Sequence, residues 1–401
     1  MQICQSDKCT GCAACQNKCP HKCITMQEDK YGELHPIVDE SKCKNCGLCI
    51  NVCPVNNAPI FNYPIVCYAS WITDNDKRRI CASGGIGTIM SEYVIEQQKG
   101  IVFGSRYDND FKPIMTHTDN SVDLEKFKGS RYVQSIVRSD TYKDVLDHLK
   151  VGKKVLFVGT PCQIAGLKSF LRKDYDNLIT VDLICHGVCP TSYFTEEINY
   201  LKQKKKIEDI TDIRFRGNDN NNFCFSFWKN NRKNNSRVYR ERAYESYYLG
   251  GFLLGVSLRE NCYTCSYARP ERISDITIGD FIGLGQKVPF EYPTVNVSSV
   301  IINTAKGKAF YEEMSKNTPT LMNVVRDYQE RLEYKPSLVE PFERHKLNSF
   351  FREEYLHRGY VVAIRKTLGD LVRKAKLKRI GSLPMKVARF FWRRFKKVVH
   401  K

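Results

Sequence analysis

"KVLFVGTPCQIAGLKSFLRKDYDNLITVDLICHGV", residues 154–188, decides the fold. "KVLFVG" is a buried apolar run that breaks at a glycine-bearing turn, "CQIAGLKSFLRK" continues at helical spacing, and "LITVDLIC" is a second run of strand length. Strand, helix and strand in immediate succession are the unit of an α/β layer. Working outward, "TSYFTEEINYLKQKKK" predicts a further helix, "IVFGSRY" a strand and "PIVCYASWI" another apolar strand-like stretch, followed by a charged loop. Ile86, Ile89, Met90, Tyr93 and Val94 recur at i, i+3, i+4, i+7 and i+8, which predicts an amphipathic helix closing on Gly100. The alternation predicts an α/β layer with a largely parallel sheet, and "NDNNNFCFSFWKNNRKNN" (218–235) predicts a polar loop or hairpin near the surface.

Ahead of this layer lies a repeat: "CTGCAACQNKCP" (9–20) and "CKNCGLCINVCP" (43–54) both read C-x2-C-x2-C-x3-C-P. Three cysteines at two-residue spacing wrap one corner of an iron–sulfur cube, and the fourth, before proline, reaches the other cluster. Cys9, Cys12 and Cys15 are therefore expected to pair with Cys53, and Cys43, Cys46 and Cys49 with Cys19, as ligands of two [4Fe–4S] clusters. Small residues in the loops, Gly11, Ala13, Ala14 and Gly47, let backbone N–H groups approach the sulfurs. The competing reading is two zinc sites, which use separated CxxC pairs rather than a tight run of four. "ITMQEDKYGELHPIVDE" between the repeats reads as a hairpin turning at Lys30-Tyr31-Gly32, and Cys4 and Cys23 as ordinary buried thiols. The Pro/Asn-rich "PVNNAPIFNYP" ends this first segment.

Composition sets outer bounds. The chain has 401 residues, 42% of them hydrophobic, enough for two or three domains with a sizeable core. Ten of its 18 cysteines fall in the first 53 residues. "MQICQSDKCTGC" has no basic or apolar leader region, so the cysteines point to metal ligation in a reducing cytoplasmic compartment rather than to disulfides. No apolar run approaches the ~18 residues that span a bilayer; the longest candidate, "YYLGGFLLGVSL", is short and carries three glycines. Residues 361–401 hold 14 Lys and Arg against one acid, Asp370, so +13 of the net +19 lies there and the first 360 residues carry +6.

One pair is left over. Cys262 and Cys265, in "RENCYTCSYARPERISDITIGDF", form half a metal site. Cys162 lies in the turn after one predicted strand and Cys185 at the end of the next, and in an open α/β sheet the carboxyl ends of strands share an edge. If the strand "DITIGDF" brings Cys262 and Cys265 to that edge, four thiolates meet and a third [4Fe–4S] cluster is expected. Cys162 would also open a helix, where the dipole favours thiolate. Two alternatives stand beside this: Cys162 as a nucleophile with His186 as its base, or all four as core cysteines. Cys67, Cys81, Cys189 and Cys224 read as core residues.

"SGGIGT", "KGSRYVQS", "VLFVGTPCQIAGLK", "VDLICHGV", "CYTC" and "DITIGDF", in this order, resemble the coenzyme F420 hydrogenase/dehydrogenase beta-subunit family, here fused to a bacterial-type ferredoxin module. The resemblance covers about residues 1–285, and departs from the family at Cys189, where a small residue is expected. Composition and the linker divide the chain into 1–58, 65–150, 151–340 and a basic helical tail, 341–401; the resemblance implies a ferredoxin-type domain for the first and the two parts of a beta-subunit-like region for the next two. It further implies FAD beside the clusters, an oxidoreductase passing electrons to a two-electron carrier or substrate, and a redox partner protein. The carrier need not be F420, and a non-catalytic electron-relay subunit is the alternative. Flavin suits the task because it exchanges electrons singly and in pairs.

No G-x-G-x-x-G follows a strand. Instead Ser83, Gly84, Gly85 and Thr88 open the amphipathic helix, where exposed N–H groups suit a pyrophosphate; an ordinary helix cap accounts for them equally well. Lys128, Ser130, Tyr132, Gln134 and Ser135 lie on one extended segment, with alternation placing Ser130, Tyr132 and Gln134 on one face. They bind flavin or form a polar edge strand, and the family motif favours flavin. His186 is the candidate proton donor; Asp275 and Asp280 read as backbone caps. In "PMKVARFFWRRFKKVVHK", Ala388, Phe391, Trp392, Phe395, Val398 and Val399 share one helical face opposite most of the basic residues. This suits contact with an anionic membrane surface; docking on the body is the rival, and nucleic acid is disfavoured because the apolar face would lack a partner.

Overall fold

The computed structural model describes residues 1–216, 223–229 and 236–381, so the 384–401 segment lies outside the described residues. The first hairpin, β1 (Ile24–Glu28) and β2 (Leu34–Val38), turns at residues 29–33 and connects the two cysteine loops. The other strands are β3 (Val66–Ile72), β4 (Ile101–Tyr107), β5 (Pro113–Thr118), β6 (Ile136–Val137), β7 (Val155–Gly159), β8 (Leu178–Leu183), β9 (Asp212–Arg216), β10 (Phe223–Lys229), β11 (Ser236–Arg242), β12 (Ile276–Asp280), β13 (Ser298–Ile302) and β14 (Leu321–Arg326).

Nine of these form one sheet in the order β14-β3-β13-β12-β8-β7-β4-β5-β6. Its centre, β12-β8-β7-β4, is parallel, as the buried apolar runs predict. The flanks differ from the expected parallel sheet: β12-β13, β13-β3, β3-β14 and β4-β5 are antiparallel. No helix separates β4 from β5 or β12 from β13, and a parallel neighbour needs a crossover long enough to return the chain to its starting edge. The segment read as a charged loop after β3 contains a helix, Asn75–Ile80, capped by the Asp74 carboxylate. β10, inside the segment read as a polar loop or hairpin near the surface, pairs antiparallel with β11 but is the buried middle strand of a separate sheet, β11-β10-β9.

The decisive unit is β7, helix Pro161–Leu171 and β8. Proline at the first helical position has no N–H to waste, and Gln163 Oε1 accepts from Thr160 N at 3.0 Å. Ile164, Ala165, Leu167 and Phe170 are buried against the N-terminal module rather than against solvent, in a core that also contains Ala14, Val52, Cys12, Cys15 and Tyr142. The module therefore shares its apolar interior with the α/β layer. Asn17, Tyr142 and Arg138 fasten this contact: Tyr142 N donates to Asn17 Oδ1 (3.0 Å) and Asn17 Nδ2 to Arg138 O (2.8 Å). A long C-terminal helix, Asn348–Gly381, bends at Gly359 (φ 70°) and packs its Ala363, Ile364 and Leu368 on the aromatic core around Tyr248 and Phe194. No helix of the described residues is long and apolar enough to cross a membrane.

Candidate functional site

The two cysteine loops close on two small cavities. One is lined by Cys9, Cys12, Cys15 and Cys53, the other by Cys43, Cys46, Cys49 and Cys19. Left-handed residues bend the loops inward, Gly11 (φ 67°) and Ala13 (φ 57°) in the first and Asn45 (φ 51°) and Gly47 (φ 73°) in the second. The bends aim amides at sulfur: Gly11 N–H at Cys9, Ala14 N–H at Cys12, and Asn45 N at Cys43 Sγ, 3.4 Å. Such bonds favour thiolate. At Cys12 burial outweighs its amide and pushes the thiol up to about 12, so ionising this sulfur in place calls for a cation to coordinate it.

Each cavity has a fifth thiol. Cys4 lines the first and hydrogen-bonds Cys9 and Cys53, raising its own pKa while lowering theirs. Cys23 lines the second, with its sulfur 3.4 Å from Cys19 Sγ and facing Cys43. Both residues touch the first and last cysteines of their set, so they are less ordinary than their position outside the spacing pattern suggests. The second cavity is the outer one: Cys46 is exposed and Cys43 half-buried.

The four cysteines of the α/β layer also face one another. Cys162 occupies the first turn of helix Pro161–Leu171, Cys185 follows β8, and Cys262 and Cys265 lie on and just after the turn Glu260–Thr264. Burial comes first in raising all four thiols, Cys162 to about 11 and Cys185 to about 12, and at Cys162 it outweighs the Thr160 hydroxyl, the Arg259 charge and the residue's own amide, which favour thiolate. Mutual repulsion adds to it: Cys185 responds to Cys162 and Cys265, and Cys262 to Cys185 and Cys265. Cys262 and Cys265 do not arrive on β12. The 259–265 turn is held directly to the loop after β8, where Arg259 N donates to Val188 O at 2.9 Å. Gly187 permits the approach: its φ is 117°, and a Cβ there would stand 3.2 Å from Cys262 Cβ and 2.9 Å from Leu258 Cδ1. Cys67, Cys81, Cys189 and Cys224 are all buried, Cys189 in the same apolar core as Cys262.

Cys12 and Cys162 come close across the shared core. A Cβ on Gly166, one helical turn after Cys162, would meet Cys12 Sγ at 3.1 Å. Tyr142 Oη lies 2.9 Å from Cys12 O and 3.1 Å from Gln163 O. Tyr267, buried, feels the thiols of both sets, Cys162, Cys12, Cys265 and Cys53.

At the carboxyl edge of the parallel strands lies a cavity of about 300 Å³, at the lower end of the range for ligand pockets. Its wall includes Ser83, Thr88, Lys128, Ser130, Tyr132, Ser135 and His186, and also Cys185. Gly84, Gly85 and Gln134 lie outside the wall. Gly84 is pressed on the sheet, where a Cβ would meet Ser70 O at 2.3 Å, and Gly85 is held at φ 86° against Ile72. The 128–135 segment is not a paired strand, so the expected alternation does not hold. Gln134 turns the other way, to Arg259 and Thr10 O.

His186 lies between Phe252 and Phe342, tilted 45° and 48° to their rings, with Nε2 3.0 Å from Phe252 O. A carbonyl partner requires the proton on Nε2, and burial lowers the pKa of the ring, so the N–H is spent on Phe252 O and Nδ1 is an acceptor, not the proton donor expected of His186. Nothing in the sequence singles out Arg216 for this wall, and Asp280 is more than the backbone cap expected of it. Arg216 donates to Asp280 (Nη1–Oδ1 3.1 Å) and to Tyr132 Oη (2.9 Å). Burial raises the Asp280 carboxyl, but the guanidinium outweighs it and holds it low. The hydrophobic pattern of β9 gives no sign that Arg216 reaches this wall.

Residues 152–327 match the family described as the C terminus of the coenzyme F420 hydrogenase/dehydrogenase beta subunit, and residues 8–57 match the 4Fe-4S dicluster domain. A chain of the F420-reducing [NiFe] hydrogenase complex from Methanosarcina barkeri, in a xenon-derivatised structure, is 15% identical, with 79% of this chain and 93% of that chain covered and a TM-score of 0.41. No curated protein is significantly similar in sequence.

Proposed function

The chain joins a 4Fe-4S dicluster domain to a region of the coenzyme F420 hydrogenase/dehydrogenase beta-subunit family, and from that premise we propose an iron–sulfur flavoprotein oxidoreductase that passes electrons between ferredoxin-type clusters and, through FAD, a two-electron carrier or substrate, F420-like or other. The redox role follows from the two families. The assignment of residues is our reading. Cys9, Cys12, Cys15 and Cys53 hold one [4Fe–4S] cluster, Cys43, Cys46, Cys49 and Cys19 a second, and Cys162, Cys185, Cys262 and Cys265 a third. Four thiols per site are the donor set such clusters take. Clusters supply one-electron transfer, and flavin links it to two-electron chemistry.

One observation carries the reading: Cys185 belongs both to the third cysteine set and to the cavity wall. The sets are thereby ordered from surface to cavity. Exposed Cys46 marks the end open to a redox partner, Gly166 keeps Cys12 against the helix of Cys162, and Cys185 faces the cavity. In the cavity, Ser83, Thr88 and the first turn of helix Ile86–Glu96 suit a pyrophosphate. Lys128, charged and held by Glu92 and Glu125, supplies a cation beside them. Tyr132, stacked on Phe252 with centroids 4.7 Å apart, offers a flat wall to an isoalloxazine ring, and Ser130, Ser135 and the Nδ1 of His186 offer polar contacts. Eighteen cysteines without a disulfide suit the reducing cytoplasm. The apolar positions of residues 384–401, set opposite most of the basic ones at helical spacing in the sequence, suit contact with an anionic membrane surface.

The test is anaerobic purification, flavin analysis and addition of a reduced deazaflavin. About one FAD per chain, bleached by the donor, is expected. A chain that holds clusters and no flavin is instead the relay subunit.

A further inference from the structure

Arg259 is among the largest fully buried side chains, with no exposed surface. Its guanidinium donates to Cys9 O (3.1 Å), Leu34 O (3.2 Å) and Gln134 Oε1 (2.8 Å), and its Nε to Asn261 Oδ1 (3.1 Å). All four acceptors are neutral, and among the described residues no carboxylate lies within ion-pair distance. Arg272, equally deep, shows the usual arrangement, with its Nη2 2.8 Å from the Asp182 carboxylate. A buried charge is costly unless a counter-charge meets it, and arginine cannot escape by losing its proton. The position of Arg259 indicates where its counter-charge belongs. It spans from the backbone of Cys9 to the turn of Cys262, and Gly11 clears the way: a Cβ there would stand 2.5 Å from Gln134 Nε2 and 3.5 Å from Arg259 Nη1. Its charge favours thiolate at Cys9 in one set and at Cys162 and Cys262 in the other.

We propose that Arg259 is the shared, fixed counter-charge of the two cysteine sets it lies between, and that it raises the reduction potentials of both. This rests on the reading that those sets hold clusters. Reduction adds one negative charge to a thiolate-bound cluster, so a cation held nearby stabilises the reduced form. Because the cation is a guanidinium, the effect does not vary with pH. Its guanidinium bonds the backbone of Cys9 and its own turn carries Cys262, whereas Cys19 and Cys49 respond to backbone amides and to neighbouring thiols rather than to Arg259, so the outer set serves as an internal reference. Arg259 is a positioning residue, acting through the ligands.

The test is a redox titration followed by electron paramagnetic resonance, on full-length protein purified anaerobically, with iron and sulfide counted in every sample. Arg259→Gln removes the charge. Gln134→Glu keeps the guanidinium and its bonds to Cys9 and Leu34 while placing a carboxylate on Nη1. In both, two midpoint potentials are expected to fall by a tenfold step or more in the one-electron equilibrium, 59 mV, with the remaining one unmoved. Arg259→Lys, which keeps the charge, is expected to hold all potentials within that step. Should Arg259→Gln lose iron, Gln134→Glu and Arg259→Lys decide. Unmoved potentials in Gln134→Glu, or an Arg259→Lys that shifts as far as Arg259→Gln, overturn the proposal. A wild-type protein with only the N-terminal clusters overturns the third-cluster reading instead, and the inner N-terminal potential still tests Arg259.

Discussion

Replacing Gly166 with alanine sets two effects against each other. In a helix interior alanine is favoured over glycine by roughly 0.5–1 kcal/mol, so the bare expectation is a gain in stability. At this position, however, the new methyl would stand 3.1 Å from Cys12 Sγ and 2.8 Å from Tyr142 Oη. Neither neighbour can retreat freely. Cys12 is tied by its loop, and Tyr142 is buried with its hydroxyl on Cys12 O and Gln163 O. Overpacking of this kind costs about 1–3 kcal/mol, so the clash wins by about 1 kcal/mol. Gly369 is the control: it lies in helix Asn348–Gly381 with nothing within 4 Å of an added methyl, and should show the bare gain. The assay is the rate of iron loss at a fixed urea concentration under anaerobic conditions. Gly166→Ala should lose iron several-fold faster than wild type, a tenfold rate corresponding to about 1.4 kcal/mol, and Gly369→Ala no faster. If both variants behave alike, the close approach of Cys12 to the Cys162 helix is refuted.

Gly187→Ala forces a side chain into φ 117° and against Cys262 Cβ; iron should fall by about one cluster's four atoms per chain, read by iron analysis, with the N-terminal signals retained. Tyr132→Ala removes the ring stacked on Phe252; flavin per chain should fall several-fold while iron stays constant, as absorbance and iron analysis would show. His117, lowered in pKa first by burial and then by the neighbouring His148, is harder to protonate folded than unfolded. Stability is then whole above the ordinary histidine value of about 6.5 and declines as pH drops through it; His117→Asn should flatten that slope in urea titrations between pH 5 and 8.

The ferredoxin repeat was legible because three cysteines of each run are local, with two residues between them, and the loop itself sets their approach. The β7–helix–β8 unit was legible because both strands are buried on two faces and read as apolar runs. What escaped was non-local. The antiparallel flanks of the sheet depend on which strands lack a crossover helix, and β10 was hidden by the Asn-rich residues around it. Alternation points Gln134 at the cavity, but its segment is unpaired backbone, so period two has no hold there. Cys4 and Cys23 lie outside the C-x2-C-x2-C pattern, and only the folded hairpin brings them to the ends of each set. Arg216 and Arg259 escaped because a lone arginine gives no signal in sequence; their partners, Asp280 and the Cys9 backbone, lie 64 and 250 positions away.

The most direct measurement is iron and acid-labile sulfide per chain in anaerobically purified protein, wild type against Cys185→Ser. Three complete cysteine sets predict about twelve of each in the wild type and about eight in the variant. About eight in both contradicts a cluster between the ferredoxin module and the cavity.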